Sequence, residues 1–399
     1  MPPILIQTLT AFCITLLAIV VLSSVAGRLG LIDSPAGRKD HCGDVPLVGG
    51  LAIFTALLTG ALIWGDVDAG VISVRGNNAL WVFLGCAAFL VLTCALDDRF
   101  HLGAFTRIAA EVLVSLIIIE VLELRVAYLG DLLGVGQIQL TPSLAYPFTV
   151  IAIVGIINAF NMLDGMDGLL SLLVLTTLAT FHLFTETSPS LVTLFIGASL
   201  LAFLTSNLKL VPVIPKTFLG DAGSCLLGFI VVILLLGAAS GQVGDEKLIQ
   251  PATALFLVAL PLYDMVFTTS RRVLRRGSPF EADRTHIHHL LRGLGFSDRR
   301  SVAVLVVISL SLNLLGLILH RSEVAEYFQL SIFVLCFGGY SLITSQGWMV
   351  VGRLKMQSEA ALTEHNPHAK GVKRGGSRPV EELDDAPVTG ESIAFFNRG

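Results

Sequence analysis

A chain of 399 residues with a formal net charge of −4 is 54% hydrophobic and only 14% charged, and its mean hydropathy is +0.80. Soluble domains carry about 25% charged residues, so these values exclude an ordinary soluble enzyme and put the chain in a bilayer. The six Cys form no Cys-x-x-Cys pair and mostly sit in apolar runs, where they read as small hydrophobes.

In chain order, apolar runs long enough to span fall at 4–26, 48–65, 78–96, 105–124, 145–160, 169–186, 191–207, 222–240, 250–270, 301–319 and 327–347. They predict an all-α polytopic membrane protein of about eleven transmembrane helices. The first run lacks a basic leading segment and a small-x-small cleavage site, so it reads as a span rather than a signal peptide. Residues 1–350 form the membrane domain. Residues 351–399 are polar, contain Gly and Pro, carry mixed charge, and read as a disordered tail.

Parity orients the runs. With the N-terminus outside, all but four of the 26 Lys and Arg fall in or beside the inside segments, the exceptions being Arg75, Arg125, Lys247 and Arg321. The positive-inside rule then puts the C-terminus in the cytoplasm. The same parity gathers every unusual polar motif on the cytoplasmic side. A solute carrier more often places its ionisable groups near mid-span, so one site at one face is the better reading.

The first cytoplasmic loop, Asp33 to Gly50, carries Arg38, Lys39 and His41 ahead of a glycine-bearing helix start. It suits a phosphate beside the membrane, or simply anchors the chain by charge. Asp97-Asp98 ends the third run; adjacent carboxylates repel, and a helix C-terminus disfavours negative charge. A nearby cation would relieve both penalties, as would Arg99 at a solvated helix end. Next comes Asn158-Ala-Phe-Asn-Met-Leu-Asp-Gly-Met-Asp-Gly168, with an amide or carboxylate at every third residue: Asn158, Asn161, Asp164 and Asp167. A step of three advances about 300° on an α-helix, so the four would drift along one stripe, unless the segment is a turn. Phe218-Leu-Gly-Asp-Ala-Gly-Ser224 sets Asp221 between glycines just before an apolar helix, suited to a metal beside a phosphate or to a capped helix start. Finally, Arg284-Thr-His-Ile-His-His289 holds three of the nine His beside an arginine. With hard oxygens as the companion ligands and no thiolates nearby, phosphate binding is favoured over zinc. Oxygen ligands for Mg²⁺, basic groups for phosphates and a membrane-level site are what phosphoryl transfer to a lipid phosphate requires.

These motifs, in this order over about residues 30–300, resemble the polyprenyl-phosphate N-acetylhexosamine-1-phosphate transferases, the WecA/MraY superfamily. The His-Ile-His-His form and the Arg38-Lys-x-His…Pro-Leu-Val-Gly-Gly50 loop are similar to its WecA/TagO branch. The resemblance implies a multi-pass protein of the inner, cytoplasmic membrane with its site facing the cytoplasm. The implied reaction is Mg²⁺-dependent transfer of N-acetylglucosamine 1-phosphate from UDP-GlcNAc to undecaprenyl phosphate, giving UMP, as the first membrane step of a cell-surface polysaccharide pathway. Another UDP-N-acetylhexosamine donor is the alternative within the class; an ion-coupled transporter is the alternative outside it. Mn²⁺ is the substitute cofactor. The implied partners are the UDP-sugar, undecaprenyl phosphate, the bilayer and a second copy of the chain as a homodimer, with no nucleic acid. Carried over by motif, Asn161 and Asp221 ligate the metal, and Asp97, Asp98 and Asp221 are catalytic. Asn158, Asp164 and Asp167 support the nucleotide, while Lys39, Arg284, His286, His288 and His289 hold phosphates. Asp264, in Pro261-Leu-Tyr-Asp, is expected to be structural.

Overall fold

The computed structural model describes residues 4–34, 43–65, 78–240, 248–276 and 285–365. Among them are thirteen helices: α1 (Ile4–Leu29), α2 (Gly49–Trp64), α3 (Ala79–Phe100), α4 (Ala104–Val121), α5 (Pro142–Leu163), α6 (Leu169–Thr185), α7 (Leu191–Asn207), α8 (Gly220–Ala239), α9 (Pro251–Leu257), α10 (Ala259–Leu274), α11 (Ile287–Gly293), α12 (Asp298–Arg321) and α13 (Glu326–His365). Two short antiparallel ladders, β1 (Ile32–Asp33) with β2 (Val45–Pro46) and β3 (Tyr128–Gly130) with β4 (Ile138–Gln139), pin the loops at opposite ends of the bundle. Six helices, α1, α3, α5, α8, α12 and the Glu326–Leu354 part of α13, are long and apolar enough to cross a membrane, and the bent pair α9–α10 makes up to seven. The chain is a multi-pass membrane protein. The apolar helices α2, α6 and α7 are shorter, and α4 carries three charges, Arg107, Glu111 and Glu120. Helix α13 continues past 350 to His365.

The run expected as one helix over 250–270 breaks at Val258, where α9 and α10 meet at 84°. Proline explains the break. Pro261 has no N–H to give to the carbonyl of Leu257, and its ring crowds that carbonyl. The hydroxyl of Thr177 on α6 donates to the Leu257 carbonyl instead, at 3.0 Å.

Helix α8 is the axis of the fold, buried from Ala222 to Ala238. It packs on α2, α3 and α5. In lipid there is little hydrophobic drive between helices, so close backbone approach must supply the attraction. A Cβ on Gly50 would lie 2.2 Å from the Gly223 nitrogen, and one on Gly228 would lie 2.8 Å from Ile157 Cα. The stacked rings of Phe83 and Phe229, 5.4 Å apart, fill the α3–α8 seam. Outward, Leu17, Leu62, Val307, Leu335 and Ile343 are exposed, as a lipid-facing surface requires.

One end of this bundle is tied together by backbone. Phe218 N donates to the Pro46 carbonyl at 2.9 Å, and Gly49 N and Gly50 N donate to the carbonyls of Phe218 and Leu219 at 3.0 and 2.9 Å. The strap leading into α2 thereby fixes the segment that leads into α8. The C-terminal end of α3, the first turn of α4 and the last turns of α5 meet there.

Candidate active site

The first turn of α8 organises the site. Gly220 sits at φ +71, and the two backbone N–H groups that follow point at α3. Asp98 accepts both: Asp221 N donates to its Oδ1 at 3.1 Å and Ala222 N to its Oδ2 at 3.4 Å. A helix N-terminus is where a carboxylate is favoured, which accounts for a charge that the end of α3 alone would disfavour. Arg107, one turn into α4, then bridges two more carboxylates. It donates to Asp97 Oδ2 at 3.1 Å and pairs closely with Asp221 Oδ2. The other oxygen of Asp97, Oδ1, is buried and meets no donor.

The polar column at the end of α5 is not one stripe. Asn158 and Asn161 are helical, but α5 ends at Leu163 with Asp164 as its C-cap, and Gly168 at φ +76 starts α6 afresh. Asp164 leaves helical geometry at ψ 60, and Gly168, which reaches the left-handed region without strain, turns the chain into α6. Four partners result. Asn158 donates to buried Glu111 Oε2 at 2.5 Å, and Asn161 Nδ2 donates to Ser224 Oγ at 2.8 Å. Asp164 faces the carboxylates of Asp221, Asp98 and Asp167; burial first, then these like charges, push its carboxyl up to about 8. Asp167, past the helix, accepts from Lys216 Nζ at 2.6 Å and from Asn207 Nδ2 at 3.4 Å, and that ammonium lies 5.1 Å above the Phe218 ring.

The histidine segment approaches from the other side. His286 caps α11, and His288 and His289 lie in that helix's first turn. A Cβ on Gly165 would lie 2.2 Å from His288 Nε2, so the glycine after Asp164 makes room for this ring. The Nδ1 of His288 is buried with no hydrogen-bond partner. Burial, then neighbouring His289, holds its imidazole down at about 3, so it works as a neutral ring. Asp264 is structural, as expected. Its Oδ2 lies 2.7 Å from His286 Nδ1, while its Oδ1 accepts from Ile287 N and from the Tyr340 hydroxyl, each at 2.9 Å.

Of the residues singled out in the sequence, Asp97, Asp98, Asn161, Asp164, Asp167, Asp221 and His288 meet at this end, and Asn158 supports them one turn deeper. Lys39, Arg284, Arg38 and His41 lie outside the described residues. Several neighbours were not singled out: Arg107, Glu111, Lys216, Asn207, Ser224 and Tyr340. Arg107 and Glu111 had a signal, being ionisable residues four apart in a largely apolar helix. Ser224 and Asn207 had none, since a hydroxyl or amide at a helix end is ordinary.

Chemically, five carboxylates with Arg107 and Lys216 as their described cationic partners leave excess negative charge. Among the described residues no three His, Cys, Asp or Glu side chains converge to cage a metal by themselves. The residues nonetheless fit Mg²⁺ in kind. The donors are hard oxygens, one of them orphaned on Asp97, and Asn161 spends its nitrogen on Ser224 rather than its oxygen.

Comparison with known proteins points the same way. Residues 80–239, which hold every carboxylate of the cluster, match the model of glycosyl transferase family 4. The undecaprenyl-phosphate alpha-N-acetylglucosaminyl 1-phosphate transferase of Salmonella typhi is 33% identical over 88% of this chain and 93% of that protein. The enzyme of that name from Escherichia coli strain K12 is 33% identical over 87% of this chain and 92% of its own length. That of Haemophilus influenzae is 31% identical over 86% and 95%. Matched along nearly the whole of these relatives, with the carboxylates gathered as a phosphoryl-transfer site needs them, the chain belongs to glycosyl transferase family 4 and is a phospho-sugar transferase.

Proposed function

We propose that the chain transfers N-acetylglucosamine 1-phosphate from UDP-N-acetylglucosamine to undecaprenyl phosphate, with Mg²⁺, at the cytoplasmic face of the cell membrane. The observation that carries this reading is the meeting of Asp97, Asp98, Asp164, Asp167 and Asp221, from α3, the α5–α6 turn and α8, with Arg107 joining Asp97 to Asp221. The names of the relatives supply the acceptor and the sugar. In this reading α1 to α8, the bent pair α9–α10, α12 and α13 make eleven spans, with the N-terminus outside, which agrees with the bias of Lys and Arg.

An oxygen of the acceptor phosphate attacks the β-phosphorus of the donor. The bond from that phosphorus to the bridging oxygen breaks, and UMP leaves. The sugar C1–O bond is untouched, so anomeric configuration is retained. Mg²⁺, held by Asn161 and Asp221, would supply charge neutralisation on the diphosphate oxygens. Arg107 lies between Asp97 and Asp221, where it can move from a carboxylate to the reacting phosphates. Asp97 faces the acceptor, and Asp98 holds Asp221 in place through the α8 amides. Asp167, with Lys216 and the Phe218 ring, offers the nucleotide a charged and a flat surface, and neutral His288 donates one hydrogen bond to the diphosphate. A phosphate monoester with a second pKa of about 6 is already ionised at neutral pH, so a single displacement needs positioning more than a base.

The test is direct. Purified full-length protein given Mg²⁺, UDP-GlcNAc and undecaprenyl phosphate releases UMP, and EDTA stops it. Absence of UMP with every UDP-N-acetylhexosamine offered would overturn the reading, and the same panel of donors identifies the sugar.

A further inference from the structure

The carboxylate half of the site is built by α3, α4, α5 and α8, which pack tightly on one another. In the histidine half α11 packs on α12, with Ile287 in one apolar cluster with Val302 and Leu305, and on α13. Helix α11 is seven residues long, too short to hold a side chain by helical stability alone. Something else must fix His288 against Gly165.

One face of α13 does so. Tyr340, Gly347, Trp348 and Val351 recur at the spacing of a single helical stripe. From this stripe the Tyr340 hydroxyl donates to Asp264 Oδ1 at 2.9 Å, and the Trp348 indole donates to the Thr285 carbonyl at 3.2 Å. Thr285 immediately precedes His286, and Asp264 binds both the His286 ring and the Ile287 amide. Apolar contact completes the seat. A Cβ on Gly347 would lie 2.9 Å from Leu290, and one on Gly293 would lie 3.1 Å from Val351. The 340–351 stripe thus grips α11 by its cap, its preceding carbonyl and its apolar side. It lies beyond residues 80–239, the part matched by the family model.

We propose that the 340–351 stripe of α13 positions the donor-binding histidines, with Tyr340 and Trp348 as positioning residues; this rests on the donor-phosphate role given to His288 above. Tyr340 acts on His288 indirectly, through Asp264, which holds the His286 ring and the Ile287 amide. Its ring packs on Tyr263 and Phe267, with centroids 5.8 and 6.1 Å away, so Tyr340→Phe keeps the packing and deletes one hydrogen bond.

The experiment compares wild type, Tyr340→Phe, Trp348→Phe and the double variant, all full-length in detergent. Each single variant is expected to raise the KM for UDP-GlcNAc by about tenfold, the scale of one hydrogen bond to a charged or buried acceptor. The KM for undecaprenyl phosphate should stay as in wild type, and the melting temperature should fall by no more than a few degrees. Amide hydrogen exchange over 285–293 should quicken, while exchange in α8 should not change. Equal changes in both KM values, or a wild-type donor KM with wild-type exchange over 285–293, would overturn the proposal. If wild type itself releases no UMP, the functional reading fails, and unchanged exchange over 285–293 in Tyr340→Phe would then sink the strut by itself.

Discussion

Asp221 and Asp264 lie at the two halves of one site, and they are treated differently. Asp264 is buried with both oxygens engaged by a ring nitrogen, a backbone amide and a hydroxyl. Asp221 stands among Asp97, Asp98 and Asp164, with Arg107 as its cationic partner. A satisfied buried carboxylate is scaffold; a crowd of like charges with an orphaned oxygen is waiting for a cation or a phosphate. The carboxylate half therefore reads as the part that meets substrate, and the Asp264 network as the part that aims a ring.

The largest expected effect tests that division. Arg107→Ala should lower kcat by ~10³-fold or more, the scale of an arginine that stabilises charge in phosphoryl transfer. Arg107→Lys should recover part of it; wild-type turnover in Arg107→Ala would show that the α4 arginine only balances charge. Asp221→Ala should cost ~10²–10³-fold in kcat and should weaken the response to Mg²⁺, read by titrating the metal against UMP release. Unchanged Mg²⁺ dependence in that variant would take Asp221 out of the metal site. Next comes Gly50→Ala, whose new methyl would meet the Gly223 backbone. It should destabilise by about 1–3 kcal/mol, seen as a lower melting temperature in detergent.

A further effect concerns pH. The Asp164 carboxyl keeps its proton in the folded state up to about 8, against 3.8 when unfolded. The folded chain then binds more protons between those values, so this group makes stability fall as pH rises through that window. In EDTA the melting temperature should decline from pH 5 to pH 8. Asp164→Asn should flatten the decline, whereas a slope identical to wild type would show that Asp164 ionises normally. Smallest is the donor-KM change in Tyr340→Phe, the finest probe of whether the histidine half is aimed from α13.

Much of this molecule was legible before folding was considered. Every apolar run is helical, the 250–270 run as the pair α9 and α10, because hydrocarbon allows the backbone little else, and the first Asp-Gly pair does stand at the end of α5. The break at Val258 departs from the single helix expected over 250–270; Pro261 carried a local signal for it, whereas its accommodation by Thr177 had none, since a hydroxyl 80 residues away has no local signature. The stripe expected of Asn158, Asn161, Asp164 and Asp167 failed for a local reason. The run of three-residue steps was read as helix past the C-cap at Asp164, where α5 ends.

The sequence by itself determined that the chain lies in a membrane, where its helices fall, and which polar motifs are out of place in an apolar chain. Tertiary structure alone decided which partner each charge has: that Arg107 joins Asp97 to Asp221, that Asp98 caps α8, and that Tyr340 reaches Asp264. The reason is physical. Hydropathy and helix-breaking act over a few residues and leave their mark in the local pattern. Charge pairing and capping across helices depend on which backbones can come within van der Waals contact, and at the centre of this fold that is decided where Gly50 meets Gly223.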